Sequence, residues 1–249
     1  MSTSDYKRVI LVTGGNAGIG LGIVRNLAKQ GHRVYLGARD EQKGREAADS
    51  LIKDGLDVKF VQIVVNSQES VAAARDLIEK AEGRLDSLVN NAGVALLLES
   101  TGALSEPLDN IKTTMETNFY GVVLVCQAFV PLLLRAKEGY ACIVNVGMLM
   151  GSTHFVASQP LTPYDKWIAY NTSKAAANSY TVALAKELEG KVKVNSVTPG
   201  FVTTKLNGNM PGGKSGDEGG AIIAPWALLG PDDKRTKLFA NEDGSLIDW

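Results

Sequence analysis

A chain of 249 residues, 45% of them hydrophobic, is long enough to bury one substantial core and short enough to do so as a single domain. Its 26 basic and 27 acidic residues leave a formal net charge of −1 and are scattered along the chain, so no basic stripe is offered to a phosphate backbone and no nucleic acid partner is expected. The opening residues are polar and the first apolar run, Val9 to Val12, soon meets glycines, which fits neither a signal peptide nor a membrane span; a soluble, cytoplasmic protein with no membrane partner is expected.

In chain order, short runs rich in Val, Ile and Leu alternate with longer segments of helical period. The runs are Arg8 to Val12, Arg33 to Ala38, Val58 to Val65, Ser87 to Asn90, Cys142 to Val146 and Lys193 to Val197, with Thr236 to Ala240 as a seventh at the edge. Buried strands separated by helices imply an α/β fold, a doubly wound parallel sheet with helices on both faces, in one domain over residues 1–249. Cys126 and Cys142 both lie inside apolar runs and read as reduced core residues, so no disulfide framework and no metal site is expected.

The first strand leads into Thr13-Gly14-Gly15-Asn16-Ala17-Gly18-Ile19-Gly20, followed by an amphipathic helix through Ile23, Val24 and Leu27. Glycines there let the backbone approach a pyrophosphate, and the helix N-terminus offers unpaired N–H groups; this makes Gly14, Asn16, Gly18, Ile19 and Gly20 cofactor-binding candidates. A bare strand-to-helix turn would look similar. The second strand ends Gly37-Ala38-Arg39-Asp40, where an NAD-binding chain usually carries an acid for the ribose 2′-hydroxyl; Arg39 favours a 2′-phosphate, hence NADP(H), unless it simply points to solvent.

Further along, a helix through Ile111, Met115, Phe119, Val122, Val123, Cys126 and Phe129 is apolar enough for contact between copies in a homo-oligomer, and equally reads as a core helix. Residues 148–168 form an aromatic-rich connection holding His154, Phe155, Tyr164 and Trp167, suited to enclosing a bulky apolar small-molecule substrate. Residues 203–220, crowded with glycine from Gly208 to Gly220, read as a mobile lid or loose surface loop.

With Asn90-Asn91-Ala92-Gly93 after the fourth strand, Asn118, Tyr170-Asn171-Thr172-Ser173-Lys174 and Pro199-Gly200, the chain resembles the short-chain dehydrogenase/reductase family over essentially its whole length. Its opening turn and its end, Asn241 to Trp249, are most similar to the carbonyl-reductase-like branch. The resemblance implies that Tyr170 donates the proton, that Lys174 holds the nicotinamide ribose and lowers the tyrosine pKa, and that Asn118 holds a water in the proton relay. It further implies that Asn91, Ala92, Gly93, Pro199, Gly200, Val202 and Thr204 line the cofactor. The chemistry is coherent: hydride addition to a carbonyl develops alkoxide charge, and a phenol of pKa near ~10 needs a neighbouring cation to act at neutral pH. Four-residue spacing puts Tyr170 and Lys174 on one helical face, as it would for ordinary surface neighbours.

Two positions depart from the family pattern. Where relatives carry a serine that hydrogen-bonds the substrate oxygen, Cys142-Ile143-Val144-Asn145-Val146-Gly147-Met148 places Met148, whose thioether has no donor. Ser152, four residues on, could substitute only if the chain were rerouted. Where relatives place an aspartate against adenine, Val64-Val65-Asn66 stands instead, so adenine contacts would be apolar or come from backbone.

A C=N bond, especially a preformed iminium, accepts hydride with little proton donation and no oxyanion, so losing the serine is compatible with an NADPH-dependent reductase of an iminium or carbonyl group. Asp165, five residues before Tyr170, is a candidate charge partner for such a substrate and equally a residue that caps or charges the start of the helix, two compatible roles. Met148, His154 and Trp167 are the expected pocket residues, although His154 could equally be an exposed loop residue. The resemblance suggests one further reading, since some fungal short-chain reductases of indole-alkaloid pathways have become bifunctional, reducing an iminium and then steering a Diels-Alder cyclisation, and this sequence is compatible with such a change. A catalytically idle NADP(H)-binding sensor or scaffold is the competing reading, opposed by the intact Tyr170 and Lys174.

Overall fold

A computed structural model describes residues 6–97 and 99–249. Seven strands form one parallel sheet in the order β3-β2-β1-β4-β5-β6-β7, made of β1 (Val9–Thr13), β2 (Arg33–Ala38), β3 (Val58–Gln62), β4 (Ser87–Asn90), β5 (Cys142–Val146), β6 (Lys193–Val197) and β7 (Phe239–Ala240). Successive side chains of a strand point to opposite faces. Ile10 and Val12 therefore meet α1 (Gly18–Lys29) and α2 (Glu41–Lys53), while Leu11 and Leu88 meet α3 (Gln68–Glu82) on the other side. Burial on both faces explains why the strands read as continuous apolar runs. The strand order reverses between β1 and β4, which opens a crevice at their C-terminal ends, the usual ligand position in such sheets.

Strand boundaries differ from expectation for local reasons. The third strand stops at Gln62 because the Val64 N–H turns off the ladder to the Ser70 hydroxyl, at 2.9 Å. The seventh starts only at Phe239, because Lys237 adopts a left-handed φ of 62°, incompatible with a strand running from Thr236.

The apolar stretch after β4 is one continuous helical run, α4 (Leu108–Met115), a π-helical turn (Glu116–Tyr120) and α5 (Gly121–Leu133). By length and composition it could cross a membrane, yet Val125, Cys126 and Phe129 are fully buried in the core against the sheet. Val122 is buried with them, while Ile111, Met115, Phe119 and Val123 are only partly covered, so the stripe is a core face continued by a shallower flank.

Beyond β5 come a single 3-10 turn (Leu149–Gly151), α6 (Thr153–Ser158), a second 3-10 turn (Pro163–Lys166) and the long α7 (Ile168–Glu187). The glycine-rich stretch is not loose throughout. From Gly216 onward it forms α8 (Gly216–Ile223), capped by a reciprocal Ser215–Glu218 box, and its glycines allow backbone-to-backbone packing on α1. A Cβ on Gly22 would lie 2.1 Å from the Gly216 oxygen, and one on Gly220 would lie 2.3 Å from the Gly22 carbonyl carbon. Residues 216–220 of the stretch expected as a mobile lid or loose loop are helical, and their small side chains permit close helix packing.

Candidate active site

The turn after β1 is shaped by glycine where no other residue fits. Gly14 and Gly18 have φ of 62° and 52°, and a Cβ on Gly20 would sit 2.1 Å from the Gly14 oxygen. No side chain caps α1 and no acid lies in its first turn, so its N–H groups and positive dipole end face the crevice unopposed. Ile19 shares its surroundings with Val202, both within 3.4 Å of a Cβ built on Gly219, and Asn16 is half-buried just before the helix.

Thr13 stitches this turn to the loop after β4. Its Oγ1 accepts from the N–H groups of Asn91 and Ala92 at 3.0 and 3.1 Å, while Asn91 Nδ2 donates to the carbonyls of Thr13 and Gly14 at 3.0 and 3.1 Å. Sequence reading assigns Thr13 no role; its place as the last residue of β1 before the glycines was the available signal. Thr204 arrives from the far side, with Cγ2 3.3 Å from a Cβ built on Gly18. Pro199 and Gly200 open the loop after β6, Gly200 at a φ of 71° with its N–H donating to Thr198 Oγ1 at 3.2 Å.

At the end of β2 the acid next to Arg39 is already committed: Asp40 caps α2, accepting from the Lys43 N–H at 3.0 Å, and that bond holds its carboxyl below the usual range. Arg39 is exposed, and its guanidinium enters no hydrogen bond or ion pair among the described residues. Uncapped helix, glycine cradle and free guanidinium together fit a dinucleotide bearing a 2′-phosphate.

On α7, Tyr170 and Lys174 lie one turn apart, with Lys174 Nζ 5.7 Å from the Tyr170 ring centre. Lys174 is buried and donates to the Val146 carbonyl at 2.8 Å. Desolvation pushes the lysine down to about 8 and the phenol up to about 12. Asn118, in the π-helical turn, accepts from the Val94 N–H and donates to the Val94 carbonyl, both at 2.9 Å, and donates to Ser173 Oγ at 3.0 Å. Its side-chain amide thus ties the loop after β4, with Gly93 against it, to the tyrosine helix. Ser173 in turn donates to the Tyr170 carbonyl at 2.7 Å, a bracing role that sequence reading passes over although the residue lies inside the Tyr170–Lys174 motif.

In the connection over 148–168, three candidate residues already have partners within the chain. Ser152 is fully buried, its hydroxyl donating to the Asp248 carbonyl and accepting from the Phe155 N–H at 2.9 Å as the cap of α6, so it is not free to orient a substrate. His154 is exposed, with Nε2 3.6 Å from Asp248 Oδ2 in the C-terminal segment, which agrees with its reading as an exposed loop residue. Asp165 Oδ2 accepts from the backbone N–H and the hydroxyl of Thr162, closing a capping box at the start of the 3-10 turn; the helix-start role is the one its contacts satisfy. Met148 stands two residues beyond Val146 in extended conformation, half-buried, and Trp167 packs on Tyr164 with ring centres 4.9 Å apart immediately before α7.

The family model for short chain dehydrogenases matches residues 8–214, and the chain belongs to that family. It is 31% identical to carbonyl reductase (NADPH) 3 of Mus musculus, over 92% of this chain and 94% of that one. It is 30% identical to salutaridine reductase of Papaver bracteatum, over 96% and 95% of the two chains. The crystal structure of NADPH-bound carbonyl reductase from chicken fatty liver superposes with a TM-score of 0.84 at 28% identity, covering 98% of this chain and 99% of that one. The fold and the carbonyl-reductase-like likeness expected from the motifs are both found.

Proposed function

We propose that this chain is an NADPH-dependent reductase that delivers hydride to a C=N or C=O carbon of a largely apolar metabolite. The observation that carries it is the Tyr170–Lys174 pair, the lysine buried and the tyrosine half-buried, set at the end of β5 beside a crevice whose glycine turn, uncapped α1 N-terminus and unpaired Arg39 suit NADP(H). The relatives named for NADPH support the cofactor, and the likeness to carbonyl reductases and salutaridine reductase supports reduction of a small molecule.

Bound NADPH supplies the hydride. Lys174, fixed by the Val146 carbonyl, would hold the nicotinamide ribose, and its positive charge would work against the upward push that burial gives the Tyr170 phenol. With a ketone, the π electrons of the C=O bond move onto oxygen and the Tyr170 hydroxyl donates its proton there. With an iminium, the electrons neutralise nitrogen and no proton is required. Met148 occupies the place where the family carries a donor serine, so the oxygen of a ketone loses one hydrogen bond and the iminium loses nothing.

The test is NADPH oxidation against benzaldehyde, α-tetralone and N-methyl dihydroisoquinolinium, with Tyr170→Phe alongside. Turnover of the iminium that survives Tyr170→Phe better than turnover of the ketone supports the reading. Tight NADPH binding with no turnover of any probe favours an idle binder and overturns it.

A further inference from the structure

The residues after β7 fold back on their own strand. Leu246 bridges Ala240 in antiparallel sense, and the Ile247 N–H donates to the Phe239 carbonyl at 2.8 Å, so the tail covers the sheet edge. It then leaves the sheet for the segment that follows β5. The Asp248 carbonyl accepts from the buried Ser152 hydroxyl, the Trp249 carbonyl accepts from the His154 N–H at 3.4 Å, and the Trp249 ring stacks on Phe239 with centres 5.6 Å apart. Phe239 in turn abuts Gly147, where an added Cβ would lie 3.0 Å from its ring.

The same segment is gripped from the opposite side by α7. A Cβ on Gly151 would lie 3.1 Å from Lys174 Cβ, and Asn178 Nδ2 donates to the Gly151 carbonyl at 3.1 Å. Asn178 Oδ1 accepts from the Ser196 hydroxyl at 2.8 Å, and that hydroxyl is the nearest atom to the Cβ position of Gly147. Residues 147–152 are thus held between two clamps, Phe239–Trp249 with Asp248 on one side and Lys174–Asn178 on the other. Met148 lies between them, two residues from the carbonyl that anchors Lys174.

We infer that Trp249 is a positioning residue for the substrate-facing segment 147–152, acting through Phe239 on Gly147 and through the tail backbone on Ser152. The inference rests on the reductase reading only in taking Met148 to face the reacting carbon. Its mechanical content is independent of which group is reduced.

The decisive experiment measures amide hydrogen exchange of the full chain over 147–155, with NADPH affinity by fluorescence and turnover of α-tetralone and N-methyl dihydroisoquinolinium. Trp249→Ala should speed exchange over 147–155 by about three- to tenfold, as expected for losing one aromatic pair. It should raise KM for whichever probe turns over, while NADPH affinity stays within about twofold. Trp249→Phe should restore both. Leu246→Ala, which alters the same edge without touching 147–154, should match wild type. The inference is overturned if Trp249→Ala leaves exchange over 147–155 unchanged, or if Leu246→Ala reproduces its effect. If no probe turns over in wild type, the reductase reading fails while the exchange result still decides the clamp.

Discussion

Lys174 Nζ donates to the carbonyl oxygen of Val146 at 2.8 Å, so the ammonium beside the Tyr170 ring is anchored to the last residue of β5. The bond ties the proton-handling helix to the strand that leads into Met148. It also keeps a cation where burial disfavours charge, and the lysine falls to about 8 in consequence.

The first expected outcome concerns stability. A lysine whose folded pKa lies below its unfolded value of 10.5 is favoured neutral by the fold. The cost of burying its charge is therefore present in full below pH 8 and is relieved as pH climbs from about 8 towards 10.5. Lys174→Met should stabilise the free protein at pH 7 by about 1–2 kcal/mol, since roughly 3 kcal/mol of charge burial is removed while the Val146 carbonyl loses a partner. Calorimetric melting at pH 7 and pH 10 checks it: the gain should shrink at the higher pH, and NADPH affinity should fall at both.

Arg39→Ala should weaken NADPH binding by roughly 10- to 100-fold, the worth of about 1.5–3 kcal/mol in charge-assisted hydrogen bonds, and leave NADH binding nearly unchanged. Fluorescence titration with each coenzyme decides it. Equal losses for both would mean that Arg39 does not meet a 2′-phosphate.

Met148→Ser should raise kcat/KM for α-tetralone by about 10-fold or more, because a hydroxyl donor at this place is typically worth ~10²–10³ in rate when fully aligned. Reduction of N-methyl dihydroisoquinolinium should not improve. A parallel rise for both substrates would show a site that is impaired for every substrate, not one specialised for C=N.

Gly22→Ala should lower Tm by about 4–10 °C, since the added methyl would lie 2.1 Å from the Gly216 oxygen and forces α1 and α8 apart. Gly212→Ala, on the same glycine-rich stretch but with open space around it, should lower Tm less, its cost coming only from the left-handed φ of 88°. Thermal unfolding of the two variants tests whether α8 is a packed helix in solution.

The strand runs, the glycine turn and the placing of Tyr170 and Lys174 on one helical face were legible in the residues themselves, because each is written locally: apolar runs for strands buried on both faces, glycines where φ is positive, four-residue spacing for one helical face. The absence of a donor at Met148 is likewise a property of one side chain. Only the tertiary structure decided which polar groups were already spent. The Ser152 hydroxyl is taken up by the Asp248 carbonyl, whereas the Arg39 guanidinium has no hydrogen-bond or ion-pair partner among the described residues. It also decided that Gly216, Gly219 and Gly220 serve helix packing and that the tail reaches back to the segment after β5. Hydrogen-bond partners and backbone approaches between residues nearly one hundred positions apart depend on how the layers stack, and no local pattern encodes that.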